Sequence, residues 1–249
     1  GKAEAAQARA TPATTGKSIA DGTFTLTVVG EALVYRPFAM NTEPEFTDRR
    51  PVARVRGDGP IAGARVQEKV VLITGGAKRV GAAICRRLHA AGANLMLHYR
   101  ASAGEARLLQ AELNGVRANS VALIQADLLD LAKLPSLVDQ TVMRFGRLDA
   151  LVNNASSFFA TPLGEIQLSH WDDLVGTNVR APLFLSQAAA GPLRKSEGAI
   201  VNVTDIHAER PMRNYVVYSI AKAALTGLTR SLARELAPDV RVNAVAPGP

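Results

Sequence analysis

Tyrosine and lysine stand four residues apart in Tyr218-Ser219-Ile220-Ala221-Lys222, and Asp205 precedes the tyrosine by thirteen residues. On a helix that spacing puts both side chains on one face, so the ammonium lies beside the phenol. A free tyrosine titrates near pH ~10, and an adjacent cation is expected to favour the phenolate and lower that value. Such a phenol can give a proton to a group that is receiving hydride. A Tyr–Lys pair also arises by chance on many helices, so its meaning depends on what else reaches the same place.

A second cluster can hold the source of hydride. The apolar run Val70-Val71-Leu72-Ile73 stops at Thr74-Gly75-Gly76-Ala77-Lys78-Arg79-Val80-Gly81 and leads into a helical pattern over 82–88. A strand that turns at glycines into a helix aims backbone N–H groups and the positive end of the helix dipole at one point, which suits a pyrophosphate. Arg79 stands where a dinucleotide-binding turn usually has glycine, and its guanidinium can contact a further phosphate in bidentate fashion. After the second strand comes His98-Tyr99-Arg100-Ala101-Ser102. An NAD-binding domain carries an acid here, about 20 residues past the glycines, for the ribose 2′-hydroxyl; this chain has none. Arg79, Arg100 and Ser102 can instead surround a 2′-phosphate, which predicts NADPH as the cofactor. The plainer alternatives are a solvated loop cation for Arg100 and a hydrogen-bonded strand-end residue for His98. Asp127 closes the third strand, where it can accept from an adenine amino group or cap the following helix. Asn153-Asn154-Ala155 closes the fourth, where amide side chains can satisfy irregular backbone beside a cofactor.

The elements that must position these residues follow from periodicity. Strands are predicted at 70–74, 94–98, 121–125, 149–153, 199–204 and 240–245, mostly continuous in Val, Ile, Leu and Ala, as strands buried on both faces should be. Helices are predicted near 79–92, 103–114, 131–145, 170–193 and 215–237, several ended by Gly92, Gly115 or Pro238. Right-handed crossovers between such strands give an α/β fold over 67–249, a Rossmann-like doubly wound parallel sheet flanked by helices, with ligands at the carboxyl ends of the strands. Residues 1–66 read as a mostly disordered or weakly ordered N-terminal extension, because 1–20 are rich in Ala and Thr and 41–66 mix Pro, Gly, Arg and acids without a period. Within it, Phe24 to Val29 alternates like a strand.

A hydrophobic content of 47% in 249 residues is ample for a packed core. No apolar stretch approaches the roughly 18 to 20 residues of a membrane span, and the start lacks a secretory pattern, so a cytoplasmic protein without a membrane partner is expected. The one cysteine, Cys85, sits in an amphipathic helix as a small buried apolar side chain. The net charge of +7 comes from dispersed bases with no basic helix or aromatic-and-basic sheet face, which predicts an anionic cofactor and no nucleic acid. No metal site is predicted.

From Val70 to Gly248 these motifs, in order, resemble a short-chain dehydrogenase/reductase. The likeness extends to Asn178 in Gly176-Thr177-Asn178, similar to the family's helix asparagine that holds a proton-relay water near the active lysine, and to Pro247-Gly248 after the sixth strand. Three departures resemble the pteridine reductase branch: Arg79 for the middle glycine, Asp205 for the usual serine, and Asn153-Asn154-Ala155-Ser156-Ser157-Phe158 for a segment that ordinarily ends in glycine. The resemblance implies that Asp205 works with Tyr218, that Ser156 contacts cofactor or ligand, and that Phe158 stacks a pterin against the nicotinamide. A pterin's exocyclic amine and ring N–H groups suit a carboxylate, its flat ring suits an aromatic wall, and Arg79 can reach substrate as well as phosphate.

The catalytic set implied is Asp205, Tyr218, Lys222 and Asn178. Cofactor contacts are implied at Thr74, Gly75, Lys78, Arg79, Val80, Gly81, Arg100, Ser102, Asp127, Leu128, Asn154, Ala155, Tyr218, Lys222, Pro247 and Gly248, and substrate contacts at Arg79, Ser156, Phe158, Asp205 and Tyr218. The activity implied is NADPH-dependent reduction of a C=N bond in a dihydropterin or dihydrofolate, with Tyr218 as proton donor. A carbonyl substrate and a non-catalytic NADPH-binding fragment are the alternatives. Relatives continue past the Pro-Gly pair into a substrate-covering loop, a helix and a seventh strand, so this chain is expected to be cut after its sixth strand, with that strand an open apolar edge. Relatives also pair their two long helices across subunits, which implies a homo-oligomer where the C-terminal part, which often contributes to it, is complete.

Overall fold

None of the four side chains of Val70–Ile73 (β2) is more than 2% exposed, so this all-aliphatic strand has to lie inside a sheet covered on both faces. The computed structural model, which describes Val28–Val29 and residues 66–247, puts it there. The other strands are β1 (Val28–Val29), β3 (Asn94–Tyr99), β4 (Val121–Gln125), β5 (Ala150–Asn153), β6 (Ala199–Val203) and β7 (Arg241–Val245). Six run parallel in the order β4-β3-β2-β5-β6-β7. The chain builds outward one way from β2 and the other way from β5, so a crevice opens between these two strands at their carboxyl ends, where a doubly wound sheet binds its ligand.

Alternating side chains of the strands feed two cores. On one face Leu72, Leu151 and Ile200 pack with Leu137 of α3 (Leu134–Phe145) and with Leu185 and Leu193 of α5 (Ala181–Lys195). On the other, Ile73, Leu95 and Leu97 pack with Cys85 of α1 (Arg79–Ala90) and with Leu109 and Leu113 of α2 (Ala103–Val116). Cys85 is fully buried, as its helical position suggested, and burial pushes its thiol up to about 12.

Two expectations need correction. The single helix predicted over 170–193 is divided into α4 (Leu168–Val175) and α5 by a π-helical turn, Gly176–Arg180. The Asn178 side chain causes this: its Nδ2 donates to the Leu174 carbonyl four residues back at 2.8 Å, intruding on the helix's own hydrogen-bond ladder. The last strand is also not an open edge. β1 pairs with it antiparallel, Val28 opposite Val245 and Val29 opposite Ala244, using two residues of the segment that alternates like a strand. The rest of the predicted N-terminal extension up to residue 65, and Gly248, lie outside the described residues. Among the described residues no helix is long and apolar enough to cross a membrane.

Candidate active site

The turn after β2 owes its shape to contacts a larger residue would destroy. Gly75 has φ +62°, and a Cβ there would lie 2.9 Å from the Ala155 Cα. A Cβ on Gly81 would overlap the Gly75 carbonyl oxygen and lie 2.7 Å from Asn154 Nδ2. Asn154 locks the turn to the end of β5: its Nδ2 donates to the carbonyls of Thr74 and Gly75 at 2.9 and 3.0 Å. The Thr74 hydroxyl accepts from the backbone N–H groups of Asn154 and Ala155, both at 3.0 Å, and donates to the Val152 carbonyl. Thr74 is 1% exposed and does not line the cleft, so it shapes the turn from below. Helix α1 starts from this turn with no side-chain cap at Lys78, which leaves its first N–H groups facing the cleft, as an anion site requires.

His98 is a hydrogen-bonded strand-end residue, the plainer of its sequence readings, and it also braces the turn. It is 1% exposed; its Nδ1 accepts from the Gly75 N–H at 3.2 Å, and its Nε2 lies 3.1 Å from the Ala126 carbonyl. An imidazole that accepts at Nδ1 and donates at Nε2 must be neutral, and burial pushes its pKa down to about 4. The signal for that bracing was its place at the end of the strand beside the glycines.

A cleft of about 540 Å³ runs from this turn to the far helix, a size ordinary for a cofactor and small-molecule site. The end beside this turn is lined by Lys78, Arg79, Val80, Arg100, Ser102, Asp127 and Leu128. Arg79 and Arg100 are exposed there, and Arg79 holds φ +49°, a left-handed backbone that glycine adopts far more readily. Lys78 turns aside to pair with Glu105 at 2.6 Å. Asp127 Oδ1 accepts from the Leu129 N–H at 3.0 Å, so it caps local backbone while facing the cleft. The Gly75, Gly81, Asn154, Ala155 and Pro247 positions also line the cleft.

The other end is built on α6 (Val216–Glu235), whose first turn carries Tyr218 and whose second carries Lys222. A buried polar ladder fixes this helix against the sheet: Asn153 donates to Asn202 at 2.8 Å, and Asn202 to Thr229 at 2.9 Å. The Tyr218 hydroxyl donates to Asp205 Oδ2 at 2.5 Å, while Asp205 Oδ1 accepts from the His207 N–H at 2.9 Å. Lys222 is 3% exposed and donates to the Val203 carbonyl at 3.0 Å, with Nζ 5.7 Å from the Tyr218 ring centroid. Burial pushes the ammonium down to about 8, and the Asp205 charge opposes that fall.

The expected lowering of the phenol by Lys222 does not occur in this geometry. Burial first, then the hydrogen bond and charge of Asp205, push Tyr218 above its ordinary value, with the Ser156 hydroxyl pulling the other way. The carboxylate sits on the phenol oxygen, whereas the ammonium lies beside the ring and donates to the Val203 carbonyl, so of the two charged neighbours the acid has the larger effect and adds to that of burial. The result is a phenol held in its protonated form.

Ser156 and Phe158 form the wall between the two ends. Ser156 Oγ donates to Asn178 Oδ1 at 2.6 Å, and Asn178 Nδ2 also donates to the Ser157 carbonyl at 3.1 Å. Asn178 is 1% exposed and does not line the cleft; its amide is occupied by Leu174, Ser156 and Ser157. Phe158 is 54% exposed, stacked on Tyr215 with centroids 4.7 Å apart and edge-on to Tyr218 at 4.8 Å. A phenylalanine so placed is a cleft wall, and core packing does not explain it. Thr177 also lines the cleft, and Tyr215 backs Phe158; neither was singled out from sequence.

The sequence profile of the family described as short chain dehydrogenase matches residues 69–249. The chain is 41% identical over 218 residues to pteridine reductase 1 of Leishmania tarentolae, covering 72% of this chain and 75% of that one. It is 34% identical over 182 residues to the 3-oxoacyl-(acyl-carrier-protein) reductase FabG of Staphylococcus aureus, covering 72% and 74%. It is 34% identical over 184 residues to the short-chain dehydrogenase/reductase FrzI of a Cladobotryum species, covering 73% and 70%. With its sheet order, glycine turn and Tyr–Lys pair, the chain is an oxidoreductase of the short-chain dehydrogenase/reductase family and aligns with its pteridine reductase branch.

Proposed function

We propose that the protein is an NADPH-dependent reductase of dihydropterins or dihydrofolate. The observation that carries the reading is the 2.5 Å hydrogen bond from Tyr218 to Asp205, directly beside the exposed ring of Phe158. A carboxylate and an aromatic wall suit a flat ring bearing N–H donors better than they suit a simple ketone. The 41% identity to pteridine reductase 1 supports the same assignment.

The glycine cradle and the uncapped start of α1 fit a pyrophosphate, because a Cβ on Gly75 or Gly81 would fill the space. Arg79, Arg100 and Ser102 would hold the 2′-phosphate at an end of the cleft where β3 supplies no carboxylate. Lys222 would hold the ribose. NADPH supplies the hydride when bound.

Tyr218 gives its hydroxyl proton to the substrate nitrogen next to the carbon that is reduced. Its raised pKa keeps that proton in place at neutral pH. The phenolate left behind is stabilised by the Lys222 ammonium near its ring, and Asp205 orients the hydroxyl and accepts from the substrate's amine. The loop wall of Ser156 and Phe158, held by Asn178, offers an aromatic face for the substrate ring to stack on. In this reading Asn178 acts by holding Ser156.

Likeness to FabG favours a second reading, a carbonyl substrate. Steady-state NADPH oxidation with dihydrobiopterin, dihydrofolate and a ketone panel separates the two, and turnover of ketones alone would discard the pterin assignment. The exposed Trp171, Leu183, Phe184, Val216 and Ile220 on α4, α5 and α6 fit the face of a homo-oligomer, and light scattering that finds only monomer would discard that. A cytoplasmic setting, with its NADPH supply, belongs to the same reading.

A further inference from the structure

The segment from Asn154 to Thr161 carries Ser156 and Phe158 across the cleft, and its far end meets the start of α6. Thr161 is fully buried there. Its N–H donates to the Asn214 carbonyl at 2.6 Å, and it forms an isolated parallel bridge with Tyr215. Its Oγ1 accepts from the backbone N–H of Val217 at 3.2 Å.

Val217 is the second residue of α6, and the N–H at that position or the next is the one a helix's own N-cap side chain ordinarily satisfies. Tyr215, which occupies the N-cap, makes no such bond. Thr161 therefore supplies the cap from a strand-distant loop, 56 residues away in sequence. The next residue along the helix is Tyr218.

A cap provided by the helix's own neighbour fixes the helix alone, whereas a cap provided by the loop fixes the helix to the loop. Here the loop carries Phe158, which stacks on Tyr215 and meets Tyr218 edge-on. We propose that Thr161 is a positioning residue for the reaction, capping α6 from the substrate loop and so holding the Tyr218 hydroxyl in register with Phe158 and Asp205. This rests on the role of Tyr218 given above. Without the hydroxyl, the first turn of α6 frays and the phenol leaves Asp205, while the phosphate turn at the other end of the cleft keeps its own contacts with Asn154 and His98.

The test uses Thr161→Val, which keeps the volume and removes the acceptor, and Thr161→Ser, which keeps the acceptor. In Thr161→Val, amide hydrogen exchange in the peptide spanning 214–220 is expected to be about fivefold faster, the effect of losing one cap. With dihydrobiopterin, kcat is expected to fall about tenfold or more while KM for NADPH stays within about twofold. Thr161→Ser is expected to restore both. Exchange and kcat like the parent's in Thr161→Val, equal losses in kcat and NADPH affinity, or a serine variant as impaired as the valine one would overturn the proposal. The exchange comparison needs no turnover, so failure of the parent to use dihydrobiopterin would count against the substrate assignment and leave the capping role to be judged by exchange.

Discussion

Replacing Arg79 with glycine should make the protein a poorer NADPH binder without making it less stable. The Arg79 backbone sits at φ +49°, a left-handed conformation that costs an L-residue about 1 to 2 kcal/mol and glycine almost nothing. Glycine loses about 0.5 to 1 kcal/mol more backbone entropy on folding, so the net change is between nothing and about 1.5 kcal/mol of stabilisation. For a chain of this size that is a rise in Tm of up to about 5 °C. The side chain is exposed on the cleft wall, so little packing is lost. Affinity should move the other way: a charge-assisted bond to phosphate contributes about 1.5 to 3 kcal/mol, which predicts NADPH binding about 10- to 150-fold weaker. NADH, which lacks the 2′-phosphate, should lose less than about threefold. Fluorescence titration with both nucleotides and thermal unfolding of the apoprotein make the comparison. A large fall in Tm, or an equal loss for NADH and NADPH, would refute the view that Arg79 endures backbone strain for a phosphate contact.

Asp205→Asn removes a charge that holds the Tyr218 phenol above its ordinary value. A proton donor loses activity as pH rises through its pKa, so the basic limb of the kcat profile should move toward neutral pH; an unmoved limb would detach Asp205 from Tyr218. His98 is buried neutral with its pKa near 4, against 6.5 unperturbed. The unfolded chain then binds the extra proton between these values, so this contribution to stability is complete above about pH 6.5 and fades as pH falls toward about 4, with about 2 kcal/mol lost by about pH 5. Urea midpoints at neutral and acid pH should show a smaller acid loss in His98→Asn, whose Oδ1 can still accept from Gly75; identical losses would refute it. Gly81→Ala would set a methyl against the Gly75 carbonyl and Asn154, costing about 1 to 3 kcal/mol, and should abolish the rise in Tm that NADPH gives the parent.

Strand identities, the doubly wound parallel sheet and the glycine turn after the first of its parallel strands were legible because continuous aliphatic runs such as Val70–Ile73 and the glycines after them have few other uses. The Tyr–Lys pair was legible as a pair, but its electrostatics were not. Spacing on a helix says that Lys222 is near Tyr218; only the folded arrangement puts Asp205 on the phenol oxygen and the ammonium on the Val203 carbonyl. The π-turn at Gly176–Arg180 was hidden for a similar reason, since the periodicity of 170–193 is helical on both sides and the interruption comes from one side-chain amide, that of Asn178. His98, Tyr215 and Thr161 act through partners between 23 and 57 residues away in sequence, which no local pattern encodes.

In the proposed reaction Tyr218 gives the proton while NADPH gives the hydride to a pterin-like ring. Single-turnover mixing of the NADPH complex with dihydrobiopterin, for the parent and for Tyr218→Phe, separates the two transfers. The parent is expected to oxidise one NADPH per site and form tetrahydropterin, and the phenylalanine variant to bind NADPH equally well and react about 10² to 10⁴ times more slowly. An unreactive parent complex, or a phenylalanine variant as fast as the parent, would contradict it.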